Sequence, residues 1–89
     1  MSQLRLRRSD VQWRAVEGEI VALDTRESQY LGVNESGADL WGMLAEGTSE
    51  DALAEHLVQT YKLDRDLAGA HVAAFLDQLR AQSLLEEPG

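Results

Sequence analysis

Eighty-nine residues, 44% hydrophobic and 27% charged, make one small domain that buries little more than ~60% of its unfolded surface, too little for an enclosed active site. The absence of cysteine excludes disulfides, thiolate catalysis and iron–sulfur ligation. The net charge of −8 is uneven: residues 1–14 hold four arginines against one aspartate, a net of +3, while residues 15–89 hold four bases against fifteen acids, a net of −11, which is the reverse of the basic stripe a duplex-binding domain needs.

Along the chain, Leu4-Arg5-Leu6-Arg7 alternates and is read as a loose extension of the strand after it, inside an arm, residues 1–10, that is either flexible or an edge strand. In Val11–Val16, Val11, Trp13 and Ala15 fall on one side and Gln12, Arg14 and Val16 on the other, the period-2 pattern of a first strand. Glu17-Gly18 supplies a tight turn, because glycine tolerates positive φ. Glu19–Asp24, rich in Ile20, Val21 and Leu23, is a second strand, and Thr25-Arg26-Glu27 a polar turn. Ser28–Val33 is a third strand, with Gln29, Leu31 and Val33 facing one way and Tyr30 and Gly32 the other. Such short connections predict an antiparallel meander with the third strand at an edge.

The rest reads as helix. Asn34 is an N-cap, and Glu35 puts an acid in the first turn, where the helix dipole favours it. Leu40, Trp41 and Leu44 form the buried stripe, and Gly47 ends the helix in the left-handed region. Thr48 or Ser49 starts a second helix, with Leu53, Leu57, Val58 and Tyr61 at its apolar positions. Asp64 caps a third, from about Arg65 to Gln82. At ~100° per residue, Ala68, Val72, Phe75, Leu76 and Leu79 share the stripe that faces the core. Leu67, Ala70, Ala74 and Ala81 lie on an adjoining face with His71 and Gln78. Those small residues either leave room for another chain or reflect alanine's helix propensity. The expected fold is a single α+β domain over residues 1–89, a three-stranded antiparallel sheet followed by three helices.

Chemistry is sparse. The longest uncharged run, Leu67–Leu76, is far short of the ~20 residues of a membrane span, and Met1–Asp10 lacks the apolar core of a secretory signal, so a cytoplasmic domain is expected. His56 and His71 stand on different predicted helices without a His-Glu-x-x-His pattern, which argues against a metal site. No Gly-x-Ser-x-Gly elbow, Gly-x-Gly-x-x-Gly run or phosphate loop occurs. Glu50-Asp51 is explained as a pair of first-turn helix acids. No catalytic residue and no cofactor are expected, and the chain is not read as an enzyme.

What remains is an edge. Unpaired strand edges are a liability that proteins blunt with charge or proline. Arg5, Arg7, Arg8 and Arg14 would do so beside the first strand, whereas Gln29–Val33 holds neither. A peptide could add there as a new strand, its backbone supplying affinity and side-chain pockets supplying register.

The run Ser28-Gln29-Tyr30-Leu31-Gly32-Val33-Asn34-Glu35-Ser36-Gly37-Ala38-Asp39-Leu40-Trp41-Gly42-Met43-Leu44 resembles the central signature of PqqD-like proteins: an aromatic strand, an apolar residue and Asn, then Gly, then a hydrophobic-Trp pair. Thr48 to Leu57, Tyr61, Asp64, Val72, Phe75, Leu76, Leu79 and Leu84-Leu85 continue it, so the likeness covers about residues 15–86. The resemblance implies a winged helix-turn-helix-like fold and a recognition element of ribosomal natural-product biosynthesis, which binds a precursor's leader segment as an extra strand on the third strand, against the third helix. Carried onto this chain, the strand contact falls on Ser28, Gln29, Tyr30, Leu31, Gly32 and Val33. For the groove wall, helical geometry nominates Leu67, Ala70, His71 and Ala74.

Where PqqD proteins carry a Pro-Glu-Gly-like segment, this chain has Asp24-Thr25-Arg26-Glu27-Ser28, and its stand-alone, compact pattern looks more like the recognition element of lasso-peptide clusters. Such a protein presents the leader to a separate cysteine peptidase, and an ATP-dependent cyclase then closes the core. The alternatives are a PqqD-type peptide chaperone for a radical-SAM enzyme, a winged-helix DNA-binding regulator, and a small adaptor that pairs its own edge. Against the DNA reading, the third helix sets Arg65 and Arg80 beside Asp66 and Asp77.

Overall fold

The computed structural model describes residues 3–7 and 9–86, in the order β1 (Arg5–Leu6), β2 (Val11–Val16), β3 (Glu19–Asp24), β4 (Gln29–Val33), α1 (Glu35–Glu46), α2 (Glu50–Tyr61), α3 (Arg65–Ala81) and β5 (Leu85–Glu86). Glu17 and Gly18, at φ 53° and 84°, make the two-residue reversal between β2 and β3, the backbone a tight hairpin demands. The three expected strands form one antiparallel sheet in the order β2-β3-β4, with Val11 opposite Asp24 and Ile20 opposite Val33. Ser28 is not part of the last strand: its φ of 56° places it in the turn, so pairing begins at Gln29. Ile20, Ala22, Leu31 and Val33 are buried on the helix-facing side, while Tyr30 and Gly32 face out.

Helix starts follow their caps. The Asn34 side chain accepts from the Gly37 N–H at 3.0 Å, and Ser49, rather than Thr48, accepts from the Ala52 N–H at 3.1 Å. Asp64 starts α3 through its backbone carbonyl, which accepts from the Ala68 N–H at 2.9 Å, and makes no side-chain cap bond. Gly47 ends α1 with positive φ but not in the left-handed helical region (φ 96°, ψ 130°), whereas Lys62 after α2 does occupy that region. The helix stripes meet the sheet in one core, with Trp41, Leu44, Leu53, Val72, Leu76 and Leu79 fully buried.

The N-terminal arm departs from its expected place. Asp10, at φ 61°, turns the chain before β2, so Leu4–Arg7 does not prolong that strand. β1 pairs instead with β5, Arg5 opposite Glu86 and Leu6 opposite Leu85, and Leu4 exchanges backbone hydrogen bonds with Thr48. Leu4, Leu6 and Leu84 are buried and extend the core beneath α1 and α3. Nor is Arg7 a free charge guarding the sheet edge. Its Nε donates to the Ser9 carbonyl at 3.0 Å, its Nη1 to the Ser83 carbonyl at 2.8 Å, and its Nη2 lies 2.7 Å from Asp24 Oδ1. Arg8, named with it, lies outside the described residues.

Asp24 is the buried partner in this clasp. Burial pushes its carboxyl up, but the backbone N–H groups of Glu27 and Arg26 and the Arg7 guanidinium together hold it below its ordinary value. The folded chain therefore binds the proton less readily than the unfolded chain. The stabilisation is complete above the ordinary carboxylate value, ~3.9, and fades as pH falls below it through the folded value. Asp24→Asn is expected to melt below wild type at neutral pH, with the difference shrinking under about pH 4. Thermal melts of both proteins across that range check it, and a gap that stays constant into acid would refute the assignment.

Candidate functional site

β4 pairs with β3 along one side, and among the described residues nothing pairs with the other. Alternate N–H and C=O groups of Gln29–Val33 therefore face outward without a strand partner. The C-terminal end of β4 runs into a groove of about 530 Å³. Gly32 and Val33 form its strand side, and the cap Asn34 with Ser36, Gly37 and Leu40 of the α1 N-terminal half its end. Leu57, Tyr61 and Leu63 close the α2 side, and His71, Ala74, Phe75 and Gln78 form the α3 wall.

Two local features set the shape of this groove. Gly37 lets α1 start hard against the end of β4: a Cβ there would stand 2.5 Å from Val33 Cγ1 and 3.4 Å from Phe75 Cε1. A single methyl group would thus push apart the strand and the α3 wall, although alanine is the better helix former. At the other end, Tyr61 is held by Asp39, whose Oδ2 accepts from the Tyr61 hydroxyl at 2.7 Å and lies 3.3 Å from His56 Nε2. The hydrogen bond to Asp39, then burial and the charges of Asp39 and Glu35, raise the Tyr61 pKa, so the ring stays a neutral donor. Among the described residues no three His, Asp or Glu side chains are placed to hold a metal ion.

The sequence-nominated residues divide. Gly32, Val33, His71 and Ala74 meet around the groove. Gln29, Tyr30 and Leu31 lie on the open strand, with Leu31 turned into the core and Tyr30 turned out. Leu67 and Ala70 are exposed on α3 outside the groove lining, Leu67 continuing the His71–Ala74–Gln78 line one turn toward the helix start. The residues that patterning missed came from elsewhere: Asn34, Ser36 and Gly37 from the helix cap, Leu40, Leu57, Tyr61 and Phe75 from stripes assigned to the core, and Leu63 from the link to α3. Gln78, already read onto the same helical face as His71 and Ala74, belonged among the nominated residues.

A family model described as coenzyme PQQ synthesis protein D (PqqD) matches residues 19–85, which takes in the sheet edge and every wall of the groove. The chain belongs to the PqqD family. No curated protein matches this PqqD-family chain. Among solved structures, it is similar to TbiB1 in complex with the TbiA(beta) leader peptide, at TM-score 0.84 and 24% identity over 92% of this chain and 94% of that one. It is also similar to lasso peptide synthetase B1 complexed with the leader peptide, at TM-score 0.82 and 25% identity over 93% of this chain and 96% of that one. The PqqD-family chain and these neighbours share an α+β fold of three helices and a three-stranded antiparallel sheet.

Proposed function

We propose that this protein recognises the leader segment of a ribosomally made precursor peptide, which adds as a strand to β4 against α3, and delivers it to a separate cysteine peptidase and an ATP-dependent cyclase in lasso-peptide biosynthesis. One observation carries the reading: the edge of β4, unpaired among the described residues, leads directly into an apolar groove walled by α3. Backbone pairing along the edge supplies affinity, and the groove selects the inward-facing side chains. The fold shared with a lasso peptide synthetase B1 that is complexed with a leader peptide supports this branch of the family. The role is binding and presentation rather than bond cleavage.

The test is amide hydrogen exchange with and without a synthetic leader peptide. Alternate amides within Gln29–Val33, those whose N–H points away from β3, should slow when the peptide is present. Unchanged exchange along β4 at saturating peptide would end the proposal. A second reading, a peptide chaperone for a radical-SAM enzyme of quinone-cofactor biosynthesis, is favoured by the description of the matching family model. Co-elution with the peptidase and cyclase supports the first branch, and co-elution with the radical-SAM enzyme the second.

A further inference from the structure

We infer that the added strand is also read on the outer face of the sheet, where a subsite centred on Gly32 takes a bulky apolar side chain, an aromatic ring above others. The inference rests on strand addition to β4 and specifies what one outward-facing position of that strand carries.

The solvent side of an antiparallel sheet is ordinarily polar. Here it exposes apolar surface next to the open edge: Tyr30 is 73% exposed and Val21 42%. Register aligns them. Val21 stands opposite Gly32, and Leu23 opposite Tyr30, so Gly32 ends the Val21 row at the free edge with Tyr30 two residues away on the same face. A glycine inside a strand is costly unless a bulge, bend or close approach requires it. None does here: Gly32 lacks positive φ, and a Cβ built on it meets nothing within 4 Å. It leaves an empty place on the outer face, bounded by Val21 and Tyr30.

An incoming strand would fill that place from the side. Strands lie ~4.8 Å apart, so the residue opposite Gly32 would have its Cβ roughly 9.6 Å from that of Val21. Alanine, serine or valine is too short to cross the glycine, whereas an aromatic ring lies over it onto Val21. Tyr30 would be its diagonal neighbour at ~7–8 Å, within reach of an aromatic side chain. An aromatic residue laid over a glycine on the neighbouring strand is a known way to complete such a surface.

The experiment is selection of a displayed library of random peptides on the wild-type protein, with Ala74→Arg as the groove control and Gly32→Val to fill the outer place. Valine suits a strand, and its side chain would project on the Tyr30 side, away from Leu31 and Val33. Wild-type protein should enrich peptides with apolar residues two apart for the groove and an aromatic at one outward position between or beside them. Exchanging that aromatic for serine should weaken binding to wild type by about tenfold and to Gly32→Val by much less. If the outward position tolerates serine on wild type, or the loss is the same on Gly32→Val, the subsite is wrong while strand addition stands. Selected peptides that bind Ala74→Arg as tightly as wild type would overturn both.

Discussion

Replacing Ala74 with arginine is expected to abolish leader binding while leaving the fold intact. Ala74 is exposed on α3 and forms part of the groove wall, outside the stripe of Ala68, Val72, Leu76 and Leu79 that holds the core. On the proposed binding mode, a guanidinium there fills the space into which the peptide's inward side chains would go, and a bound peptide would strip it of water. An unpaired buried charge costs several kcal/mol, so affinity should fall at least ~100-fold. Fluorescence anisotropy of a labelled leader measures the loss. Circular dichroism and a melting temperature within a few degrees of wild type show that the loss is local. Wild-type affinity in the variant would mean that the peptide does not use this groove.

Trp41→Ala should act on the whole molecule. The indole is 0% exposed, and Trp13 meets it edge-on at 5.9 Å with planes at 74°. Removing a buried tryptophan typically costs ~3–5 kcal/mol, a large part of the ~5–15 kcal/mol that small domains possess. At roughly 4–8 °C per kcal/mol for a domain of this size, Tm should fall by more than about 12 °C. Trp41→Phe is the informative companion. The indole N–H is buried and has no hydrogen-bond partner among the described residues, so removing it forfeits no such bond. Urea melts of the two variants should therefore show phenylalanine far closer to wild type than alanine. Equal losses would mean that the nitrogen edge, and not the packing of the ring, is what the core requires.

Where a boundary is set locally it was legible, and where the turn lay outside the pattern, as at Ser28, it was not. Alternation in Glu19–Asp24, the Glu17-Gly18 reversal and the Asn34 cap each act within a few residues, and each reappears in the structure. The pairing of Arg5–Leu6 with Leu85–Glu86 joins opposite ends of the chain through two-residue strands, too short to carry a periodic pattern. Arg7 misled for the same reason, because its partners Asp24 and Ser83 are distant in sequence. At the candidate site, the open strand and the Ala74 face follow from periodicity. The rest of the lining does not, since Leu57, Tyr61 and Phe75 each serve the core and the groove at once, and one apolar letter cannot distinguish the two uses.

The β1–β5 pair also bears on how this fold can be joined to others. Arg5 stands across from Glu86, so the described chain enters and leaves at adjacent points, in a ribbon separate from the sheet that ends in β4. A segment with neighbouring ends can be spliced into a surface loop of a host protein at little conformational cost. Both junctions would then lie on a ribbon other than the sheet that ends in β4, which would let the fold travel as a cassette and bring its open strand edge to a host.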